Sequence, residues 1–109
     1  MISVNIYYKG ENGNAKRFAE EMEKSKIAAR IREEEGNLGY EYFFPANDEE
    51  TVLLIDKWEN QNAIDEHHAS PMMAQIAILR EKYDLTMKVE RFLSEDMPET
   101  DNKFVREKG

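Results

Sequence analysis

The chain has 109 residues, with 23 acidic and 15 basic side chains and a net charge of −8. This acidity disfavours binding to nucleic acid, because an acidic surface repels a phosphate backbone and no basic cluster compensates for it. The chain contains no cysteine, which excludes disulfides, thiolate catalysis and cysteine-ligated metal centres.

The sequence also lacks the pattern of a membrane protein. Its apolar runs fall short of the ~18 residues that a membrane-spanning helix needs, and the N-terminal MISVNIYY has a strand pattern rather than that of a signal peptide. We therefore expect a cytoplasmic protein with no membrane partner. The length fits one domain, which we place at residues 1–93, followed by a polar C-terminal tail at residues 94–109.

The first part of the chain predicts a strand, a long helix and a second strand. Residues 2–8 alternate between two faces and are rich in β-branched and aromatic side chains, which is typical of a strand. Residues 15–35 have helical spacing that shifts phase near Ser25, so we expect a helix with a bend, ended by Gly36. Residues 38–44 form the second predicted strand, with aromatic side chains on both faces.

The second part predicts a strand, two helical segments and a last strand. Residues 51–58 are the third strand and residues 61–68 a short helix. The Ser70-Pro71 pair predicts the start of another helix, because serine caps helices and proline is tolerated at the first helical position. Residues 85–93 alternate as the fourth strand.

This β-α-β-β-α-β order predicts an α+β, ferredoxin-like fold, in which both helices cover one face of a four-stranded antiparallel sheet. The other face would then be bare. Tyr42 and Phe44 share a face of the second strand, and Leu54 and Trp58 share a face of the third, so we expect these side chains on the bare face. Such an apolar surface is large for a monomer, which predicts a homodimer packed sheet against sheet.

Three segments resemble a known family. They are EEGNLGYEYF at the second strand, LLIDKWENQNAIDEHHASP after it, and the closing KVERF. Together they resemble the antibiotic biosynthesis monooxygenase family, in its small quinol-monooxygenase-like branch, over roughly residues 2–93. The resemblance implies a dimeric α+β barrel with one cavity per subunit.

The resemblance also implies a function. The monooxygenases of this family insert oxygen into phenolic or quinol substrates without a metal, flavin or haem. We therefore expect a cofactor-independent monooxygenase that acts on a small quinol or polyphenol-like aromatic with dioxygen, the substrate being its own reductant. Because one scaffold hosts several chemistries, two alternatives remain open. One is an isomerase of a small phosphorylated or hydroxylated carbonyl compound, and the other is a non-catalytic dimeric ligand-binding module.

The two histidines are the first catalytic candidates. A histidine titrates near neutral pH and can accept a phenolic proton. The family pattern favours His67 as the catalytic base, and His68 is a candidate substrate-binding residue. The structural alternative is a histidine that bonds helix-end carbonyls or the partner subunit. Adjacent helical side chains diverge by about 100°, so the pair does not chelate one metal ion.

We predict no metal site. A mixed site that combines a histidine with a carboxylate is disfavoured by the ligand sets that metals prefer. The carboxylates considered for it are Asp56, Asp65 and Glu66.

Trp58 and Asn5 are the other catalytic candidates. Trp58 would form an aromatic wall whose indole N–H steadies a phenolate, although a core or interface tryptophan is equally consistent with its position. Asn5 would orient a substrate oxygen, and it matches a strand-one asparagine of haem-degrading relatives. In those relatives a tryptophan and a haem-ligating histidine accompany it. Here those positions hold His67 and a residue near Ala77, and alanine offers no axial ligand, so we expect no haem.

The remaining substrate-binding candidates are aromatic, thioether and basic side chains: Tyr7, Tyr40, Tyr42, Met72 and Arg80. For the tyrosines the alternative is ordinary strand packing. Arg80 and Arg91 would hold a carboxylate or phosphate, and the alternative for both is a surface ion pair. An Arg80 that faces the cavity would favour an anionic substrate.

Overall fold

The computed structural model describes residues 1–108. They form a four-stranded antiparallel sheet and four α-helices, followed by a short 3-10 helix at Glu99–Phe104. No helix within these residues is long and apolar enough to cross a membrane. The elements, in chain order, are β1 Ile2–Lys9, α1 Asn14–Lys24, α2 Ile27–Arg32, β2 Asn37–Phe43, β3 Thr51–Trp58, α3 Gln61–His68, α4 Met72–Lys82 and β4 Thr86–Leu93.

The strands lie in the order β2-β3-β1-β4, and every neighbouring pair is antiparallel. This arrangement confirms the predicted ferredoxin-like α+β fold. β1 pairs with both β3 and β4, so the N-terminal strand lies inside the sheet rather than at its edge. The helices pack on one face of the sheet, and the core lies between the two layers.

The predicted long helix is divided in two, as its phase shift indicated. Lys26 has a φ of 70°, in the left-handed region, which ends α1 and starts α2 at a new angle. The predicted stop at Gly36 is wrong, because α2 ends at Arg32 with Glu33 as its C-cap. Gly36, with a φ of 82°, lies in the turn before β2. The start of the helix that was predicted at Ser70-Pro71 is shifted by one residue. Pro71 is the N-cap of α4, and the Oγ of Ser70 has no hydrogen-bond partner within residues 1–108.

The strand register decides which side chains are buried. In the β1–β3 pair, Ile2 lies opposite Trp58 and Ile6 lies opposite Leu54. All four are buried beneath the helices. Alternate residues of a strand share a face, so the even-numbered positions of β1 and β3 face the core.

This register corrects the predicted bare face. Leu54 and Trp58 are each 1% exposed, and Tyr42 packs edge-on against Phe18 of α1. The face away from the helices carries the side chains of opposite parity. Its larger apolar and aromatic members are Tyr7, Phe43, Leu53, Ile55 and Phe92.

The tail from residue 94 onward is exposed as far as residue 108. Its first residue is tied to the domain, because the Ser94 amide donates to the Met1 carbonyl at 3.0 Å. The boundary at residue 93 coincides with the end of β4, and the division into domain and tail stays a prediction.

Candidate active site

A cavity of about 370 Å³ lies between the helix-covered face of the sheet and helices α3 and α4. This volume is in the range of ~300–1,000 Å³ that small-molecule sites occupy. Most of its wall is apolar, with a few polar side chains contributed by β2, β3, β4, α3 and α4. The lining residues are Val4, Ile6, Tyr40, Leu54, Asp56, Trp58, Gln61, Ile64, His67, His68, Met73, Ile76, Arg80, Met87, Val89 and Arg91.

Trp58 and His67 form one wall of the cavity. Their ring centroids are 4.8 Å apart and the planes are inclined by 31°. Helix α3 is held in place by its N-cap, where the Asn60 side chain accepts from the Ala63 amide at 2.9 Å. The buried Ala63 and Ile64 anchor the helix to the core, and this fixes His67 one turn later.

The imidazole of His67 is paired with a carboxylate. Its Nδ1 lies 3.0 Å from Oε2 and 3.1 Å from Oε1 of Glu34, which follows α2. When Nδ1–H donates to the carboxylate, Nε2 is left unprotonated as an acceptor. Burial lowers the pKa of His67 below its ordinary value, and Glu34 acts in the opposite direction. The ring is therefore a neutral base at neutral pH, with its tautomer set by Glu34.

Asp56 is a second titratable group in the wall. It is 6% exposed, and its Oδ1 has no hydrogen-bond partner within residues 1–108. In the sheet it lies between Val4 of β1 and Tyr40 of β2, in line with the cavity-facing side chains. Burial raises the pKa of Asp56 to about 7, because it penalises the charged form. This carboxyl can therefore take up or release a proton near neutral pH.

The phenols around the cavity are hydrogen-bond donors rather than bases. Burial raises the pKa of Tyr8 and also that of Tyr40 and Tyr42. The hydroxyls of Tyr40 and Tyr42 are 3.4 Å apart. The Tyr8 hydroxyl accepts from Nε and Nη2 of Arg80, at 3.2 and 2.8 Å.

The cavity brings together five of the predicted site residues: Tyr40, Trp58, His67, His68 and Arg80. Two others pack beside it rather than in its wall. Tyr42 lies two residues after Tyr40 on β2 and packs against the hydrophobic core. Met72 also packs against the core, and Met73 lines the cavity in its place.

Asn5 and Tyr7 lie on the opposite face of the sheet, which corrects the predicted placement of both. Asn5 pairs with Ile55 and Tyr7 pairs with Leu53, and all four have the parity of the helix-free face. The Asn5 side chain accepts a hydrogen bond from the Ser3 hydroxyl at 2.8 Å. From this position Asn5 cannot orient a substrate in the cavity of its own subunit.

Two residues of the site were missed as catalytic candidates. Asp56 could have been found, because it interrupts an apolar strand at a position that shares its face with Leu54 and Trp58. Glu34 is one of three consecutive glutamates, and its only signal was its place at the start of EEGNLGYEYF, a segment that resembles the family. Within residues 1–108, no three histidine, cysteine, aspartate or glutamate side chains are grouped as metal ligands.

The chain has structural neighbours among bacterial proteins. A candidate antibiotic biosynthesis monooxygenase from Deinococcus radiodurans is 19% identical, with a TM-score of 0.76, and the match covers 90% of this chain and 96% of that one. SnoaB, a cofactor-independent oxygenase from Streptomyces nogalater, is 12% identical, with a TM-score of 0.72 and coverage of 88% and 94%.

A third neighbour is a conserved protein of unknown function from Bacteroides thetaiotaomicron, described as a possible oxidoreductase. It is 21% identical, with a TM-score of 0.73 and coverage of 84% and 94%. At these identities the neighbours establish a shared fold. No match was found among curated proteins.

The family itself is established by the sequence. The model of the antibiotic biosynthesis monooxygenase family matches residues 1–77, which is well over half of the chain and includes β1, β2, β3 and α3. The chain belongs to the antibiotic biosynthesis monooxygenase family.

Proposed function

We propose that this protein is a cofactor-independent monooxygenase of a small quinol or polyphenol-like aromatic. The observation that carries the proposal is the contact between the buried His67 and the partly buried Glu34, with His67 set against Trp58 in the wall of an apolar cavity. A neutral, oriented imidazole is the group that a phenol needs as a proton acceptor. The proposed oxidant is dioxygen and the proposed site of action is the cytoplasm.

In this mechanism the aromatic ring of the substrate packs on Trp58, and Nε2 of His67 takes a phenolic proton. The Glu34 carboxylate stabilises the imidazolium that forms, because its Oε2 is 3.0 Å from Nδ1. The phenolate that remains is rich enough in electrons to reduce dioxygen directly. The apolar wall then excludes water from the reactive intermediate.

The electrons of the reaction balance within substrate and dioxygen. One oxygen atom forms a bond to a ring carbon, and the other leaves as water. A quinol and one dioxygen molecule thus give a hydroxyquinone and one water molecule, with four electrons passing from the ring to oxygen. Asp56 is the proposed acceptor for the second proton that the ring releases, since its pKa is raised to about 7 by burial.

The two alternatives differ in how well the site supports them. A binding module would need no buried titratable group, whereas His67 is 5% exposed and Asp56 is 6% exposed in the cavity wall. An isomerase of a phosphorylated carbonyl compound draws support from Arg80 and Arg91, since guanidinium groups bind phosphate well. Isomerisation would leave the substrate mass unchanged, and this separates it from oxygenation.

We also propose that the protein is a homodimer, packed through the helix-free face of the sheet. On this face Phe43 is 43% exposed and pairs with the half-buried Leu53, and Phe92 of β4 is 50% exposed. Exposed apolar side chains grouped on one face of a sheet are often covered by a partner in a soluble protein. A second copy would cover it with an identical face about a two-fold axis.

The test is oxygen uptake by chelator-treated protein over a panel of quinols and hydroxylated naphthalenes, under ¹⁸O₂. We expect a product with one ¹⁸O atom, and a loss of about 10²- to 10⁴-fold in kcat in His67→Ala. Asn62→Ala, an exposed position on the same helix, is the control for folding and for handling. Uptake that is equal in His67→Ala and Asn62→Ala, or a product without ¹⁸O, would contradict the proposal.

A further inference from the structure

The cavity differs in charge from the rest of the molecule. The chain as a whole has a net charge of −8, yet the cavity wall contains two arginines, Arg80 and Arg91. Asp56 is the one acidic side chain among its lining residues. Positive side chains thus outnumber acidic ones in the wall of this apolar cavity, and this indicates a negatively charged ligand.

Arg80 is held in place without being neutralised. Its Nε and Nη2 donate to the hydroxyl of Tyr8, and its guanidinium carbon lies 5.5 Å from the centroid of the same ring. Tyr8 is an uncharged partner, because burial keeps its pKa above the ordinary value. Within residues 1–108 no carboxylate forms an ion pair with Arg80, so its charge and its Nη1 are available to a ligand.

Arg91 contributes the second cation from the other side of the cavity. It lies on β4 directly opposite Val4, with the parity that faces the helices. Its side chain is exposed and forms no hydrogen bond or ion pair within the described part of the chain. β4 is an edge strand of the sheet, and Arg91 lines the same cavity as Arg80.

The remainder of the wall is suited to an aromatic ring. Trp58 and Tyr40 contribute aromatic side chains to the lining, and the aliphatic lining comes from the core side of the sheet and from helices α3 and α4. Asp56 is close to these groups, and its unpartnered Oδ1 would repel a doubly charged anion more than a singly charged one. The ligand that matches this wall is therefore an aromatic compound with one negative charge.

We propose that the cavity binds an aromatic hydroxy acid, whose carboxylate pairs with Arg80 and Arg91 while its ring packs on Trp58. This inference rests on the proposed function, because it specifies the quinol substrate as one that bears a carboxylate. A guanidinium pair binds carboxylate through parallel hydrogen bonds, and these would fix the ring with its hydroxyl toward His67.

The experiment is isothermal titration calorimetry of the full chain with three probes of the same bicyclic ring: 1-hydroxy-2-naphthoate, 1-naphthol and 1-naphthyl phosphate. The titrations are carried out without dioxygen, so the result does not depend on turnover. We expect the hydroxynaphthoate to bind about tenfold or more tightly than either other probe. We also expect this preference to weaken as the salt concentration rises.

Arginine variants test whether Arg80 and Arg91 cause the preference for the hydroxynaphthoate. Arg91→Gln alters an exposed side chain and should reduce the preference for the hydroxynaphthoate over 1-naphthol by about threefold to tenfold. Arg80→Gln should abolish it, and Arg30→Gln, an exposed arginine on α2 outside the cavity, should preserve it.

Equal affinity for the acid and the naphthol, tighter binding of the phosphate, or a preference that survives both cavity variants would overturn the inference. A clear preference without oxygen uptake on any quinol would instead overturn only the proposed reaction.

Discussion

The Nδ1 atom of His67 lies 3.0 Å from Oε2 of Glu34, which is 33 residues earlier in the chain. This contact joins the end of α2 to the last turn of α3, and it orients the single buried imidazole that faces the cavity. A histidine whose Nδ1 is occupied by a carboxylate has one ring nitrogen left for chemistry. The contact with Glu34 therefore fixes which nitrogen of His67 can act as the base. A histidine at a helix end without such a partner would have no fixed tautomer.

Glu34→Gln tests this arrangement. Glu34 raises the pKa of His67 against the effect of burial, so its loss should lower that pKa further. We expect kcat to fall by about tenfold or more, and the acid limb of its pH profile to shift to lower pH. The neighbouring and exposed Glu33→Gln is the matched control. If both variants keep the wild-type profile, Glu34 is not a positioning residue.

Asp56→Asn should change how stability depends on pH. Because the folded protein raises the pKa of Asp56 from its ordinary value near 4 to about 7, the native state binds this proton more tightly than the unfolded state does. The free energy of unfolding should therefore fall as pH rises through this window, by up to ~4 kcal/mol. Urea unfolding at about pH 5 and about pH 8 should show this decline shrinking in Asp56→Asn.

The exposed Asp65→Asn is the control for that measurement, and it should keep the wild-type decline. A decline in Asp56→Asn as large as in the wild type would mean that Asp56 is ionised throughout.

Gly36→Ala should destabilise the protein through two effects. Its φ of 82° is strained for alanine, and an added Cβ would lie 2.5 Å from the Cβ of Ala63, which anchors α3. We expect a loss of roughly 2–4 kcal/mol in the free energy of unfolding. Gly13→Ala is the control, because its φ of 80° is similar but its nearest neighbour, the Arg17 side chain, is 3.8 Å away.

Gly13→Ala should cost only about 1 kcal/mol, the effect of the left-handed backbone. Similar losses in the two variants would show that contact with α3 is unimportant. Because α3 carries His67, Gly36→Ala should also reduce oxygen uptake under conditions in which it remains folded.

Ile55→Glu tests the proposed dimer. Ile55 is half-buried at the centre of the helix-free face, and a charge there would prevent two such faces from packing. Sedimentation velocity should detect a dimer for the wild type and a monomer for the variant. Ile78→Glu is the matched control, since Ile78 is 66% exposed on α4, and it should remain dimeric. A monomeric wild type would refute the proposal.

The sequence was sufficient for the elements and for their order. Alternation in residues 2–8 and 51–58 and the phase shift near Ser25 are local properties of the chain, and each produced the expected strand or break. The β-α-β-β-α-β order then left few ways to pair the strands. His67, Trp58 and Arg80 could be singled out because their chemistry is scarce in this chain or suited to an anionic aromatic.

Only the tertiary structure decided which face of the sheet the helices cover. Alternation shows that Leu54 and Trp58 share a face, but it does not say which face is buried. The sequence pattern therefore placed Leu54 and Trp58 on the bare face and Asn5 in the cavity, and the structure reverses both placements. The pairing of Ile2 with Trp58 and of Ile6 with Leu54 settles this, because it puts the apolar face of β1 against α1 and α3. The Glu34–His67 contact likewise depends on docking between α2 and α3, which no local pattern encodes.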